Sequence, residues 1–281
     1  MTERIDLHTH SLCSDGTLSP SELAQLAKKS GICAVALTDH DTVSGTEDFL
    51  AECAKLGIEG IKGIEISTNH ETELHIIGLY VGGEEFNRVL LRLKDARKER
   101  NIKLVEKLRE FGFDINIEEV LAVGERVTLE SAGRPHIARA LVDKGYASDI
   151  GEVFEKLIKR GRPCYVEKYS LSPEESIRLI KNCGGIAIWA HPFHTVKTAK
   201  EVYQMALELK SFGLDAMECR YSKHTDEQTR ICCEVAEKAG LLKSGGSDFH
   251  GENRPEVRLG EVSGGYVPYE VLEELKKILI K

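Results

Sequence analysis

Short β-rich apolar runs separated by helix-opening signals recur along most of this chain, and that alternation restricts its fold more than any other feature. The runs are Arg4–His10, Cys33–Thr38, Gly60–Ser67, Leu74–Tyr80, Gly185–Ala190, Leu214–Cys219 and Leu241–Ser247. In the first, Ile5 and Leu7 alternate with Asp6, His8 and His10, the period of a strand. Ser19-Pro20-Ser21-Glu22 joins a capping box to a proline at the first helical position. Ser44-Gly45-Thr46-Glu47 and Ser172-Pro173-Glu174-Glu175 repeat the box. Seven strands alternating with helices predict an α/β fold with a parallel sheet, closed or nearly closed into a barrel.

Residues 84–163 break the alternation. They are charged and helical in pattern, with Phe86, Val89, Leu90, Leu93, Val105, Leu108 and Phe111 near helical spacing. The stretch reads as a helical insertion between the fourth and fifth strands. The expected domains are therefore a barrel of residues 1–83 and 164–281 and an insertion of residues 84–163. A packed cap without a catalytic role and a substrate-binding lid both fit the insertion.

A net charge of −8 over 281 residues argues against a broad nucleic-acid-binding face, though not against nucleic-acid fragments as substrates. The longest apolar run, Ile32–Leu37, is far shorter than the roughly 18 residues of a membrane span. No basic region followed by an apolar stretch opens the chain, so no secretory leader is read. The eight cysteines are irregularly spaced and none falls in Cys-x-x-Cys. They read as buried reduced thiols of a cytoplasmic protein, not as a disulfide framework or a structural zinc site. No stable protein partner is indicated.

The chemistry gathers at the strand ends. His8 and His10 stand two residues apart, so their side chains share a face. The second run stops at Thr38-Asp39-His40-Asp41, and the third ends with Glu65 between apolar neighbours. His75 sits in the fourth run, His191 closes the fifth and Asp248-Phe249-His250 follows the seventh. Six of the ten histidines thus lie on or at strand ends, the edge where barrels place active sites. Glu65 in an apolar strand needs a partner, because a buried unpaired carboxylate is costly. Nitrogen and oxygen ligands without thiolate favour manganese, zinc or iron, and so many ligands suit two or three cations. Asp39 and Asp41 read as supports that hold an imidazole or cap the following turn.

These motifs resemble the PHP (polymerase and histidinol phosphatase) family. The matching elements are His8-Thr9-His10 with Asp15, Thr38-Asp39-His40-Asp41, Glu65, His75, His191-Pro192 and Asp248-Phe249-His250, in that order. The resemblance implies a distorted seven-stranded (β/α) barrel with a trinuclear metal centre. One metal would be held by His8, His10, Glu65 and Asp248, a second by Glu65, His75 and His191, and a third by Asp15, His40 and His250. Length and insertion resemble the small stand-alone phosphoesterases related to 3′,5′-nucleoside bisphosphate phosphatase. Arg134-Pro135-His136-Ile137-Ala138-Arg139 and Gly161-Arg162-Pro163 resemble the family's substrate-phosphate elements. One position departs: many relatives carry arginine where this chain has His194.

The expected reaction is hydrolysis of phosphate monoesters on small nucleotide or sugar phosphates, 3′,5′-nucleoside bisphosphates foremost. A metal-activated hydroxide would attack phosphorus, with two to three divalent ions, Mn2+ before Zn2+ or Fe2+, bridged by Glu65. Arg134 and Arg162 are candidates to neutralise phosphate oxygens, His136 to bind substrate, and His194 or His224 to protonate the leaving group. Arg139 and Tyr221 are weaker candidates. The alternatives are a 5′–3′ exonuclease on short RNA, a cyclic-phosphate phosphodiesterase, a metal-dependent amidohydrolase and a non-catalytic metal-stabilised interaction module.

Overall fold

A computed structural model describes residues 3–124, 127–129 and 131–280. The chain forms two compact units: Val89–Ser170 is one, and the residues before and after it are the other. No helix among the described residues is long and apolar enough to cross a membrane.

The larger unit is built on one sheet of eight strands: β1 (Arg4–Asp6), β2 (Ile32–Leu37), β3 (Glu59–Ser67), β4 (His75–Leu79), β5 (Ile186–Trp189), β6 (Ala216–Tyr221), β7 (Leu242–Gly246) and β8 (Val267–Pro268). They lie in the order β7-β6-β5-β4-β3-β2-β1-β8. The sequence reading expected seven. The eighth escapes it because Val267 and Pro268 make only a two-residue antiparallel edge against β1, too short for any periodicity. The sheet bends almost into a closed barrel. Beyond β1, His10 N–H donates to the Phe249 carbonyl (2.9 Å), Asp248 N–H to the His8 carbonyl (2.8 Å), and Thr9 bridges Phe249 in parallel.

The sheet is not all parallel, which corrects the expectation. β4 runs antiparallel to both β3 and β5. The connection from Ser67 to His75 is too short for the dozen or more residues that a parallel crossover needs. This reversal has a chemical consequence. His75 is the first residue of β4, yet it lies at the same end of the sheet as the C-termini of β3 and β5, its antiparallel neighbours.

Both faces of the sheet are covered. Ile5, Ala34, Ala36, Ile61, Ile77, Leu79, Ile186, Ile188 and Ala216 fill one core. Val35 and Leu37, the alternate residues of β2, pack with Leu23, Ala27, Phe49 and Cys53 from helices Pro20–Lys29 and Thr46–Leu56. The capping boxes at Ser19 and Ser172 form as read. The one at Ser44 does not: Gly45 is the N-cap of helix Thr46–Leu56, while the Ser44 hydroxyl accepts from Thr42.

The smaller unit is helical. The long helix Glu84–Glu110 enters it, and Leu104, Leu108, Ile115, Val120, Ile137, Leu141 and Val153 form its core. Phe111 belongs to no core; it follows the helix and is 53% exposed.

Gly246 marks where the barrel closes. A Cβ there would stand 2.4 Å from His8 Cβ and 2.5 Å from His8 N. Gly246→Ala should therefore lose about 1–3 kcal/mol or more to overpacking against backbone, and should also weaken metal retention. Gly57→Ala, at φ 63° with nothing within 4 Å, should lose only the left-handed penalty of about 1 kcal/mol and keep its metal. Denaturant titration with elemental analysis checks both; equal behaviour of the two variants would contradict tight closure at His8.

Candidate metal centre

Each predicted ligand is delivered by a strand end or the turn just beyond it. Glu65 lies near the end of β3, where its N–H donates to the Asp39 carbonyl and its carbonyl accepts from Asp41 N–H. That pairing carries His40 alongside it as a parallel bridge. His191 and Asp248 follow β5 and β7 in left-handed backbone, with φ of 31° and 57°. A non-glycine residue pays about 1–2 kcal/mol for such a conformation. Here it turns both side chains back over the sheet end.

All nine residues meet around one carboxylate. Glu65 Oε2 is 3.3 Å from both His8 Nε2 and His10 Nε2 and 3.0 Å from His40 Nδ1. Its Oε1 is 2.9 Å from His75 Nδ1 and 2.8 Å from His191 Nε2. Asp248 Oδ1 stands 3.4 Å from His8 Nε2 and 3.2 Å from His10 Nε2. Asp15 lies 3.3 Å from His250 Nε2 and 3.8 Å from His40 Nε2. Three sets place their ligand atoms within 4.8 Å of one another: His10, Asp15, His40 and His250; His8, His10, Glu65 and Asp248; His40, Glu65 and His75.

The cluster fits cations. His8 Nε2, His10 Nε2, His250 Nε2, Asp15 Oδ1 and Glu65 Oε2 are buried without a hydrogen-bond partner. Buried polar atoms left this way are costly singly, and five converging on one place are rare in a native fold. A divalent ion among them satisfies several at once, and imidazole with carboxylate is a donor set suited to first-row metals. Within the protein alone the imidazoles offset the carboxylates. Burial pushes Glu65 up, but His40, His8 and His75 bring it well below the usual carboxylate range. Burial lowers His10, but Asp248 and Glu65 raise it to about 9. Protons and metal thus compete for the same nitrogens.

Two residues beside the cluster, Glu218 and Arg254, were missed by the sequence reading, which did single out Tyr221, Asp39 and Asp41. Glu218 on β6 is buried, accepts from His191 N–H at 2.7 Å and lies 3.2 Å from His8 Nδ1. That bond leaves His8 Nε2 to face the cluster. The signal was available: like Glu65, Glu218 is a carboxylate inside an apolar run. Tyr221 Oη donates to Asp248 Oδ2 at 2.9 Å, and the Arg254 guanidinium binds the same oxygen. Asp39 accepts from Ser11 N–H and from the hydroxyls of Ser11 and Ser14, so it fixes the loop carrying Asp15. Asp41 accepts from Ser67 N–H.

The other candidates are spread out. His194 is adjacent, its ring centroid 4.6 Å from that of His191 and its Nδ1 3.9 Å from Glu73. Burial and the neighbouring His191 push it down to about 4. His224 follows β6 by three residues. It is buried, packed edge-on to Phe193 and behind Tyr221, with Nδ1 3.3 Å from the Cys219 carbonyl. Arg134, His136 and Arg162 belong to the smaller unit. Arg134 stands over the Phe154 ring, and His136 Nδ1 accepts from Gly133 N–H at 3.0 Å, capping its own helix. Arg162 is exposed and 3.5 Å from Glu155, and Arg139 pairs with Asp143.

A cluster of imidazoles and carboxylates able to hold metal, at one end of a nearly closed α/β sheet, marks a metal-dependent hydrolase of the barrel type. The chain belongs to the PHP domain family, whose model matches residues 6–239. It is 36% identical over 255 residues to a 5′-3′ exoribonuclease of Haemophilus influenzae, covering 89% of this chain and 91% of that one. It is 31% identical over 252 residues to a 3′,5′-nucleoside bisphosphate phosphatase of Chromobacterium violaceum, covering 88% and 87%. A solved Chromobacterium violaceum structure, described as an amidohydrolase with bound sulfate and no metal, superposes with a TM-score of 0.85 at 29% identity, covering 98% of this chain and 96% of that one. The protein is a metal-dependent phosphoesterase.

Glu218→Ala should lower metal affinity about 10–100-fold, the usual effect of removing the group that orients a ligating imidazole. Glu218→Gln keeps an acceptor for His191 N–H and should lose less. Chelator competition measures both, and wild-type affinity in Glu218→Ala would mean that other contacts hold His8.

Proposed function

We propose that this enzyme hydrolyses phosphate monoesters on small nucleotides, with 3′,5′-nucleoside bisphosphates as the preferred class. The observation that carries this reading is the Glu65 carboxylate, which presents one oxygen to His8, His10 and His40 and the other to His75 and His191. On this reading His8, His10, Asp15, His40, Glu65, His75, His191, Asp248 and His250 would hold two or three divalent ions, Mn2+ foremost, with Glu65 shared between them. Ions bound there would supply Lewis-acid polarisation of a phosphoryl oxygen and acidify a water. His40, His75 and His191 all approach Glu65, so each could join it in holding an ion.

The protein's own groups bind and orient. His194, beside His191 and Glu73, is placed to hydrogen-bond the leaving-group oxygen. A bound phosphate dianion adds negative charge next to it and raises its affinity for the proton it would donate. Arg134, the first residue of helix Arg134–Asp143, offers a guanidinium and a helix N-terminus to the non-scissile phosphate, with His136 and Arg162 as further contacts. The eight free thiols support a reducing, cytoplasmic setting. The second reading is 5′–3′ cleavage of short RNA, favoured by the name of the 36%-identical relative. Product analysis tests both: inorganic phosphate from bisphosphates and from 3′- and 5′-monophosphates, ring-opened monoester from cyclic phosphates and mononucleotides from short RNAs, with elemental analysis of the same preparation. Product only from RNA, or one ion or fewer per chain after manganese loading, overturns the preferred reading.

Glu65→Gln should abolish turnover on every substrate while circular dichroism stays native, because the apolar core is independent of that charge. Near-normal rates would remove Glu65 as the bridge. Arg134→Ala should cost about 2–4 kcal/mol in kcat/KM on a bisphosphate, the scale of one lost anion contact, and less on the matched monophosphate. Metal content should not change. Steady-state kinetics on the pair decides, and equal losses would remove the non-scissile assignment.

A further inference from the structure

Asp248 uses its two oxygens differently. Oδ1 faces His8 and His10, while Oδ2 accepts from Tyr221 Oη and from the Arg254 guanidinium. The carboxylate side chain is 3% exposed and the arginine side chain 28%, so the guanidinium lies on the water side of the acid that meets the cluster. A guanidinium carries five N–H donors in one plane, and a contact through Nη1 to a single oxygen leaves others to point outward. Arg254 is also held in place. Asn253 Nδ2 donates to the Asp15 carbonyl (2.8 Å), Glu252 N–H donates to Thr17 Oγ1 (3.0 Å), and Lys223 pairs with Glu256 (2.7 Å). The loop on both sides of the arginine is therefore pinned to the loop that carries Asp15 and to the end of β6.

We propose that Arg254 is a catalytic residue that donates from its outer edge to an equatorial oxygen of the scissile phosphate. This rests on the phosphoesterase reading of the cluster. The electrostatics suit such a group: Asp15, Glu65, Asp248 and Glu218 put four carboxylates in or beside the site, where bound cations would offset them and a guanidinium adds a further positive charge for a phosphate dianion. A planar fork anchored on Asp248 places a fixed positive charge there without the reorganisation that a flexible lysine would need. The contact lets the larger unit alone grip the phosphate that reacts. Asp248 then serves twice, as a ligand through Oδ1 and as the mount for the arginine through Oδ2.

The test separates a substrate contact from a mere support of Asp248. Manganese-loaded wild type, Arg254→Ala, Arg254→Lys and Tyr221→Phe are compared for metal content, for binding of inorganic phosphate by calorimetry, and for kcat/KM on a nucleoside bisphosphate. Arg254→Ala is expected to keep its metal, to bind phosphate about 10-fold more weakly and to lose roughly 100–1000-fold in kcat/KM, the range for one oxyanion donor. Arg254→Lys should recover part of both. Tyr221→Phe removes the other donor to Oδ2, so any loss it shows should track its metal content, whereas the loss in Arg254→Ala should not. Unchanged phosphate affinity in Arg254→Ala, or losses in both arginine variants that only track lost metal, overturns the proposal. Wild type that binds phosphate yet hydrolyses no ester would sink the functional reading while leaving the contact standing; wild type that binds no phosphate would sink the contact.

Discussion

The structure depends on making a buried carboxylate tolerable. Glu65 is fully buried in an otherwise apolar strand, and an ionised carboxylate removed from water costs several kcal/mol unless it is paired. No lysine or arginine among the described residues is shown pairing with it; five imidazoles from four other segments do so instead. A cationic side chain would have given a simple ion pair and closed the site. Imidazoles leave lone pairs that a cation can use, so the same packing that stabilises Glu65 also builds a place for metal. Strand order follows from this requirement. Only a sheet bent until β7 approaches β1 brings His8, Asp248 and Glu65 to one centre.

The surroundings are arranged to keep those lone pairs pointed inward. Glu218 holds the far side of His8, Asp39 ties the loop of Asp15 to Ser11 and Ser14, and Tyr221 with Arg254 fixes Asp248. These contacts are buried and short, which gives a rigid frame in which small displacements are opposed. The strained backbone belongs to the same design. Asp41, His191 and Asp248 adopt left-handed conformations at the sheet end, and each is fixed by hydrogen bonds to a neighbouring segment. Strain stored at a site and held by its surroundings is characteristic of catalytic geometry.

The two units divide by chemistry as well as by packing. Residues that face the cluster come from strand ends of the larger unit. The smaller unit has a helical core, with arginines and one histidine, His136, on helix ends and turns. His136 illustrates how one residue type serves different ends. Its Nδ1 is occupied by Gly133 N–H, whereas the buried Nε2 atoms of His8, His10 and His250 have no hydrogen-bond partner.

Much of this was legible in the chain itself. The alternation of apolar runs with capped helices determined the α/β class, because period and caps are local properties that neighbouring residues set. Motif order made the cluster's histidines and carboxylates readable as one set, since each stands at the end of a run whose direction the pattern reveals. What local pattern could not carry was decided by tertiary structure. The short link after Ser67 reverses β4 and brings His75 to the working end; the two-residue β8 has no period to read. Glu218 and Arg254 looked like ordinary charges, because their partners, His8 and Asp248, are distant in sequence or on another turn. A residue's role in this site depends on which nitrogen or oxygen it faces. That is fixed by closure of the sheet, through contacts between residues as much as two hundred positions apart.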